Sequence, residues 1–481
     1  MAQLSQSGRV PGWQDVMVVG TLCSATLSYR TGLLALCGYA RAVFAAQPAR
    51  LFVLGFYTRG TEMQAWVFDL SGLYSGETID IARSAERCST ILASYMLMNN
   101  AQLGVSDLIK EDSRGVYINR GDNTNTNARR LYLDTPATFA RVNKNLISDG
   151  MTCYRARLAN SERCEYAVKI KWSPDSDKSE VKMLQLANER KPWGVLQLFD
   201  HQAICSTDSL HNGLAFGAPQ SFGSGHGDDT LGPSDTNAKG SGNRILNCIT
   251  VHPLGESLHR FETVSEVLHA LSHAVKAHRS LYQETEILHQ DICPGNIIIP
   301  SRKVQWAPTD PKGVLIDLDM AKQRSEPWKQ FEGIGTPPFQ AIGVLQAYLP
   351  NNPHTFRHDL ELFLYTFLFL AICQRPVAPG LNQLQLPTAS VLNQWTQGRP
   401  VDQAKSKTND MSATNFGRIT DEFTTEFKPF KGLAVSLRDR LFPERDRKPW
   451  TGTDMTEEGT NALYDAVIDC FEQGIADLAR L

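Results

Sequence analysis

Apolar and polar residues follow two different periods along the N-terminal part of the chain. Residues 33–44 carry apolar side chains at helical spacing, which predicts a helix, whereas residues 50–56 and 63–68 alternate as strands do. The stretch 111–130 is polar and rich in turn-forming residues. We therefore predict a small α/β domain over residues 1–130 that ends in this polar stretch.

The pattern then predicts two strands followed by a helix. Residues 154–158 and 165–172 alternate as strands, and residues 178–186 have helical spacing. Residues 206–242 are dominated by Gly, Ser, Asp, Asn and Thr, and such a composition lacks the apolar surface needed to offset the entropy of ordering. We predict a second domain over residues 131–253, with this stretch as a disordered insertion between paired strands.

The rest of the chain is predicted to be mainly helical. Residues 261–282 place apolar side chains on one helical face and charged side chains on the other, which is typical of an amphipathic helix. Residues 360–373 are apolar nearly all round but fall short of the roughly 20 residues that a bilayer requires. They indicate a buried helix, and we assign residues 254–481 to a third domain.

Composition and charge indicate which partners and which cellular compartment are expected. The chain has 48 Lys plus Arg against 51 Asp plus Glu, a formal charge of -3. This balance gives no basic surface for nucleic acid or anionic lipid, and neither is expected as a partner. The 10 cysteines include no C-x-x-C pair, so reduced thiols in cytoplasm or nucleus are expected.

The densest candidate chemistry lies in residues 288–299. His289 is followed by Asp291 and, five positions further on, by Asn296. Phosphoryl transfer needs one group that orients a hydroxyl nucleophile and others that hold Mg²⁺, and a carboxylate with an amide oxygen can supply both. Asp317, at the end of an apolar strand pattern, is a further candidate Mg²⁺ ligand. Each residue alone could equally be a turn former or a cap.

A further candidate pair, Lys169 and Glu180, precedes residues 288–299 in the chain. Lys169 lies in a predicted strand and Glu180 early in the following helix, an arrangement that can hold a Lys toward the phosphates of ATP. The pair by itself is also common on solvent-facing surfaces. The order Lys, Glu, H-x-D-x-x-x-x-N, then a strand ending in Asp is the signature order of protein kinases.

The sequence resembles the fungal-type protein kinases. The resemblance covers most of the chain, including residues 38–72 near the N-terminus, and is carried by His289-Gln-Asp291, Leu315-Ile-Asp-Leu-Asp319, Gly335-Thr-Pro-Pro-Phe339-Gln-Ala341 and His358-Asp-Leu-Glu361. It implies an α+β class, with a bilobal protein-kinase-like fold preceded by the small α/β domain. Residues 131–253 would then be the N-lobe and residues 254–481 the C-lobe.

The resemblance also implies roles for individual residues. Val251 would lie at the hinge between the lobes, and Gly150 in the turn that covers the ATP phosphates. Thr336 would belong to the substrate-facing activation segment. Asp359, at the start of the central helix, would brace the backbone of the catalytic loop.

Several positions depart from the kinase pattern, and Asp317-Leu-Asp319 replaces the usual Asp-Phe-Gly. Gln290 stands where an Arg usually receives an activation-loop phosphate, and Cys293 where Ser/Thr kinases often have Lys. Gly343 stands where a structural Glu usually forms a buried ion pair. These departures leave a catalytically weak or dead pseudokinase scaffold as an alternative.

The function predicted from the sequence is ATP-dependent phosphoryl transfer to protein Ser or Thr hydroxyls, with ATP and Mg²⁺ as cofactors and an unidentified protein as substrate. The other alternative is a small-molecule phosphotransferase of the aminoglycoside or choline kinase type, which shares the H-x-D-x-x-x-x-N pattern. Residues 335–339 argue against it, because such enzymes usually lack a protein-substrate platform there.

Overall fold

The structure is a computed structural model that describes residues 12–121, 130–137, 139–140, 149–175, 180–212, 243–302, 306–325, 335–346, 354–374, 384–446 and 448–480. Its strands are β1 (Val18–Cys23), β2 (Val53–Arg59), β3 (Glu62–Phe68), β4 (Leu73–Ser75), β5 (Ile79–Asp80), β6 (Lys110–Asp112), β7 (Gly115–Asn119), β8 (Arg130–Leu133), β9 (Phe139–Ala140), β10 (Thr152–Leu158), β11 (Tyr166–Pro174), β12 (Gln197–Ser206), β13 (Arg244–His252), β14 (Gly255–Ser257), β15 (Ile287–Leu288), β16 (Ile297–Pro300), β17 (Val314–Leu315), β18 (Lys322–Gln323), β19 (Glu444–Arg445) and β20 (Lys448–Pro449).

The helices are mostly longer than the strands. They are α1 (Tyr29–Ala46), α2 (Ala85–Leu97), α3 (Glu180–Arg190), α4 (Thr207–His211), α5 (Val264–Thr285), α6 (Ile342–Gln346), α7 (Phe356–Ile372), α8 (Pro400–Asp410), α9 (Gly417–Thr420), α10 (Lys431–Leu441) and α11 (Glu457–Leu478). Short 3-10 helices occupy Trp13–Asp15, Leu258–Arg260, Pro294–Asn296, Leu318–Met320, Val391–Thr396 and Lys428–Phe430.

Helices and several separate sheets are mixed along the chain, which is the expected α+β class and is consistent with a kinase-like fold. The chain forms two compact units. One comprises Met1–Asp177 with Phe199–Val251, and the other Lys178–Leu198 with His252–Leu481. The division into three domains at residues 130 and 253 stays a prediction.

The first unit begins with a five-stranded sheet in the order β1-β2-β3-β4, with β5 beside β3. Strands β1 and β2 are parallel, and β2 and β3 form an antiparallel hairpin. Helix α1 begins after Ser28, whose side chain accepts a hydrogen bond from the Thr31 amide. Its apolar face packs on β2 and β3 to form a core of Leu33, Leu36, Ala40, Val43, Val53, Tyr57, Trp66 and Phe68. The predicted helix 33–44 and the two predicted strands fall on these three elements.

The second sheet of this unit has eight strands in the order β12-β13-β11-β10-β8-β7-β6, with β9 beside β10. The predicted order of strand, strand and helix is confirmed by β10, β11 and α3. The sequence did not predict β7, which lies within the polar, turn-rich stretch 111–130 and pairs with β6 and β8. Ile118 in β7 is fully buried and belongs to the core. Its polar neighbours in the sequence give no sign of this burial.

The predicted insertion at 206–242 is only partly covered by the structure. Strand β12 continues to Ser206, and α4 follows as one short helix capped by the Ser206 side chain. Residues 213–242 lie outside the described residues, so their predicted disorder stays a prediction.

The second unit is built on helices α5, α7, α10 and α11. Helix α5 is amphipathic as predicted, with Val267, Leu271 and Val275 buried along one face. In α7 every residue except Phe369 is buried, which confirms the predicted buried helix. Among the described residues, no helix is both long and apolar enough to cross a membrane.

Small antiparallel sheets lie against these helices. One has the order β14-β16-β17, and another pairs β15 with β18. Together they fix both ends of the loop between β15 and β16, as well as the residues that follow β17. The apolar strand pattern that ends at Asp317 is present as a strand, but this strand is limited to Val314–Leu315.

Gly313 is required by the close approach of β17 to α5. A Cβ atom at this position would lie 2.1 Å from the carbonyl oxygen of Ala270 in the helix backbone. Backbone atoms cannot move aside as a flexible side chain can, so the two elements would have to separate.

We therefore expect Gly313→Ala to lower the free energy of unfolding by about 1–3 kcal/mol, as overpacked cores do. Gly432→Ala is the matched control, because this exposed position in α10 has nothing within 4 Å of the added methyl group. Alanine there should stabilise the helix by about 0.5–1 kcal/mol. Denaturant unfolding of both variants measures the difference, and equal stability would contradict the packing described here.

Candidate active site

The loop between β15 and β16 carries the predicted His289, Asp291 and Asn296. His289 is fully buried, and its Nε2 atom donates a hydrogen bond to the carbonyl oxygen of Ile316 at 2.9 Å. Its Nδ1 atom accepts the amide hydrogen of Asp291 at 3.3 Å. The imidazole thus joins this loop to the residue before Asp317.

Asn296 folds the loop onto Asp291. Its Nδ2 atom donates to the main-chain oxygen and to the Oδ2 atom of Asp291, both at 2.8 Å. The 3-10 turn Pro294–Asn296 makes this contact possible across five positions. Because Nδ2 is committed to Asp291, Oδ1 is the atom of Asn296 that can act as a ligand.

The other carboxylate oxygen of Asp291 contacts the segment 335–341. Its Oδ1 atom accepts the amide hydrogen of Thr336 at 2.8 Å. Thr336, predicted to lie in the substrate-facing segment, is therefore next to the predicted catalytic carboxylate.

Asp317 is brought to the same place by the pairing of β16 with β17. The amide of Ile316 donates to the carbonyl oxygen of Asn296 at 3.0 Å. Asp317 itself has a φ of +67°, in the left-handed region that Asp tolerates better than most residues. This conformation ends the strand, and a 3-10 turn follows.

Three carboxylates cluster beside this turn. The nearest oxygen atoms of Glu180, Asp317 and Asp319 all lie within 4.8 Å of one another. Like charges this close favour a cation between them, and carboxylate oxygens with an amide oxygen are ligands that suit Mg²⁺. The residues present thus fit a magnesium ion, which Asp317, Asp319, Glu180 and the Oδ1 atom of Asn296 could hold. Sequence reasoning missed Asp319 as a site residue, although its spacing from Asp317 was a usable signal.

Asp359, at the N-terminal end of α7, holds the backbone of the loop between β15 and β16. Its carboxylate is fully buried and accepts the amide hydrogens of His289 at 2.9 Å and Gln290 at 3.1 Å. It also accepts hydrogen bonds from the Nε2 atoms of His278 at 2.8 Å and His354 at 2.7 Å. Two of these four contacts hold the backbone of the loop, and the other two connect the carboxylate with His278 and His354.

The two histidines also decide the charge of this carboxylate. Burial alone would raise the pKa of Asp359, but its interactions with His354 and His278 outweigh burial and hold the pKa well below its usual range. His278 is in turn hydrogen-bonded through Nδ1 to the hydroxyl group of Tyr464 at 2.8 Å. Sequence reasoning missed His278, His354 and Tyr464, because no local motif connects them with Asp359.

The remaining predicted site residues belong to the first unit. Lys169 lies in β11, opposite Cys153 in β10 and Ile249 in β13. Gly150 has a positive φ of +56°, and Val251 is the last residue before the chain enters the second unit. The predicted pairing of Lys169 with Glu180 connects residues of different units and stays a prediction.

The structure shows the surroundings of Cys293 and Gln290, two residues that depart from the kinase pattern. Cys293 is buried, which raises the pKa of its thiol to about 12, and the carboxylates of Asp291 and Asp317 act in the same direction. It therefore stays a neutral thiol and supplies no positive charge. Gln290 is also buried, and its Nε2 atom has no hydrogen-bond partner within the part of the chain that the structure describes.

A mixed fold, a His-x-Asp loop closed by Asn and braced by a buried Asp, and a carboxylate cluster beside it are features of protein-kinase-like enzymes. The family model described as fungal protein kinase matches residues 2–373, so the chain belongs to the fungal protein kinase family. Kinase activity, with general use of ATP and a divalent metal, is what this family implies. A comparison with curated proteins gave no match.

The four hydrogen bonds of Asp359 lead to a stability prediction. Asp359→Asn keeps the shape but places an amide donor among donors and removes the charge, so we expect the free energy of unfolding to fall by about 3–5 kcal/mol. Denaturant unfolding at neutral pH measures this loss.

Asp402→Asn is the matched control, because its ion pair with Arg399 is at the surface, and it should leave stability nearly unchanged. Equal stability of the two variants would mean that Asp359 does not brace the loop.

Proposed function

We propose that this protein transfers the γ-phosphoryl group of ATP to Ser or Thr hydroxyl groups of protein substrates, with Mg²⁺ as the metal ion. The observation that carries the proposal is the position of Asp291. One oxygen of its carboxylate is held by Asn296 and the other by the amide of Thr336. In this proposal Asp291 is the general base, and its contact with Thr336 supports a protein acceptor that lies on the segment 335–341.

Each remaining site residue has a role in this proposal. Asp291 orients the acceptor hydroxyl and takes its proton, while His289 fixes the loop from inside. Asn296 and Asp317 hold Mg²⁺, with the carboxylates of Glu180 and Asp319 close enough to share it. The bound ion would neutralise negative charge on the phosphates as it develops.

The nucleotide side of the site is the finer part of the proposal. In a bilobal kinase fold, Lys169 with Glu180 would position the phosphates, Gly150 would lie in the turn above them, and Val251 would be at the hinge. A small N-terminal domain would precede the two lobes. The 10 cysteines, all present as free thiols, favour an intracellular location in cytoplasm or nucleus.

A pseudokinase scaffold is the second candidate, favoured by Gln290. Buried and uncharged, Gln290 cannot receive an activation-segment phosphate as the usual Arg does. A small-molecule phosphotransferase is less well supported, because the segment that contacts Asp291 through Thr336 is suited to a protein acceptor.

The roles of the two carboxylates can be separated by substitution. We expect Asp291→Asn to reduce transfer from labelled ATP to casein by about 10²–10⁴-fold, as loss of a general base does, and to retain thermal stabilisation by Mg-ATP. Asp317→Asn should lose both transfer and stabilisation, because this carboxylate faces the metal.

Asp402→Asn controls for general effects of losing one negative charge. Equal loss of Mg-ATP stabilisation in both site variants would show that Asp291 is a metal or structural residue. A wild-type protein that is stabilised by Mg-ATP but transfers no phosphate to casein, myelin basic protein or itself would favour the scaffold.

A further inference from the structure

Lys407 in α8 is a fully buried lysine that lies outside the residues matched by the family model. Its Nζ atom donates hydrogen bonds to two main-chain carbonyl oxygens, those of Pro338 at 2.5 Å and of Gln340. Both carbonyls belong to the segment 335–341, whose Thr336 amide contacts Asp291. One side chain therefore holds this segment close to Thr336, the residue that contacts the proposed base Asp291.

The surroundings of the Lys407 amine are mostly aromatic. It lies 4.2 Å from the ring centroid of Tyr365 and 5.0 Å from that of Trp395. The indole N–H of Trp395 donates to the carboxylate of Asp410 at 2.9 Å, which fixes the ring. Carbonyl dipoles and ring faces thus take the place of water around the amine.

Burial and a nearby carboxylate act on the charge of Lys407 in opposite directions. Burial lowers the pKa of Lys407 to about 7, and the carboxylate of Glu361 acts in the opposite direction. Burial raises the pKa of Asp410 on the same helix. Arg357 is bound to Glu361 at 2.7 Å and to the carbonyl oxygen of Leu441 at 2.6 Å, so its charge is shared between these groups.

Glu361 holds Ile342, the residue that directly follows this segment. Its Oε1 atom accepts the amide hydrogen of Ile342 at 2.6 Å and the hydroxyl hydrogen of Tyr365 at 2.6 Å. The carbonyl groups of residues 338 and 340 are thus held by a cation, and the amide of residue 342 by an anion. Gly343, where protein kinases usually have a structural Glu, directly follows this clamp of Lys407 and Glu361.

We propose that Lys407 is a positioning residue for the protein acceptor: it holds the carbonyl groups of Pro338 and Gln340 so that the segment 335–341 presents a fixed surface to the acceptor beside Asp291. This inference rests on the proposed kinase function. Lys407 lies far from Asp291 in the sequence, and its role in this inference is to place the acceptor and not to bind ATP.

Steady-state kinetics of Lys407→Met, with casein as the acceptor, test this inference. Methionine nearly matches the length and volume of lysine but donates no hydrogen bond, so the segment should lose its fixed position. We expect the KM for casein to rise at least 10-fold, while the KM for ATP changes less than twofold. Loss of folded protein alone would instead lower the apparent kcat and leave both KM values unchanged.

Lys405→Met is the matched control, because Lys405 is exposed on the same helix, and it should leave every constant unchanged. Lys407→Gln keeps two N–H donors on a shorter side chain, and an intermediate KM for casein is expected. An unchanged KM for casein in an active, folded Lys407→Met protein would overturn the inference, as would failure of both position-407 variants to fold. A wild-type protein without transfer to any protein acceptor would refute the kinase function itself.

Discussion

The buried carboxylate of Asp359 is the group on which the arrangement of the site depends. It accepts hydrogen bonds from two loop amides and two histidines, and so joins α5, the loop between β15 and β16, and α7 at one point. Burying a charge is costly unless it is fully hydrogen-bonded. Here both carboxylate oxygens accept hydrogen bonds, from the loop amides and from the two histidines. The hydroxyl of Tyr464 extends this network to the C-terminal helix α11.

The geometry of the site follows from this anchor in a short series of contacts. With its amide held by Asp359, His289 reaches the carbonyl of Ile316, and the pairing of β16 with β17 places Asp317 beside Asn296. Asn296 and the Thr336 amide then fix the two oxygens of Asp291. Lys407 and Glu361 hold residues 338, 340 and 342, which closely follow Thr336 in the chain. Two buried networks, one around Asp359 and one around Lys407 and Glu361, thus hold Asp291 and the segment 335–341, and the hydrogen bond between Thr336 and Asp291 joins them.

The sequence predicted the parts of this structure that are local. His289, Asp291 and Asn296 lie within eight residues, and α1, α5 and α7 show their burial as apolar spacing. It did not predict His278, His354, Tyr464 or Lys407, because each reaches the site from a distant element and resembles an ordinary surface residue in the sequence. Strand β7 was missed for a related reason, since its core contact depends on partners in other strands. The pairing of Lys169 with Glu180 stays a prediction.

Hydrogen exchange at the amides of His289 and Gln290 tests the central claim most directly. If Asp359 holds the loop, both amides should exchange only when the protein unfolds globally, as slowly as the amide of Phe363 in the core of α7. The exposed amide of Thr336, bound to Asp291, should exchange faster and serves as the internal comparison. Exchange of His289 and Gln290 at the rate of Thr336 would contradict the account, because the loop would then open without breaking the core around Asp359.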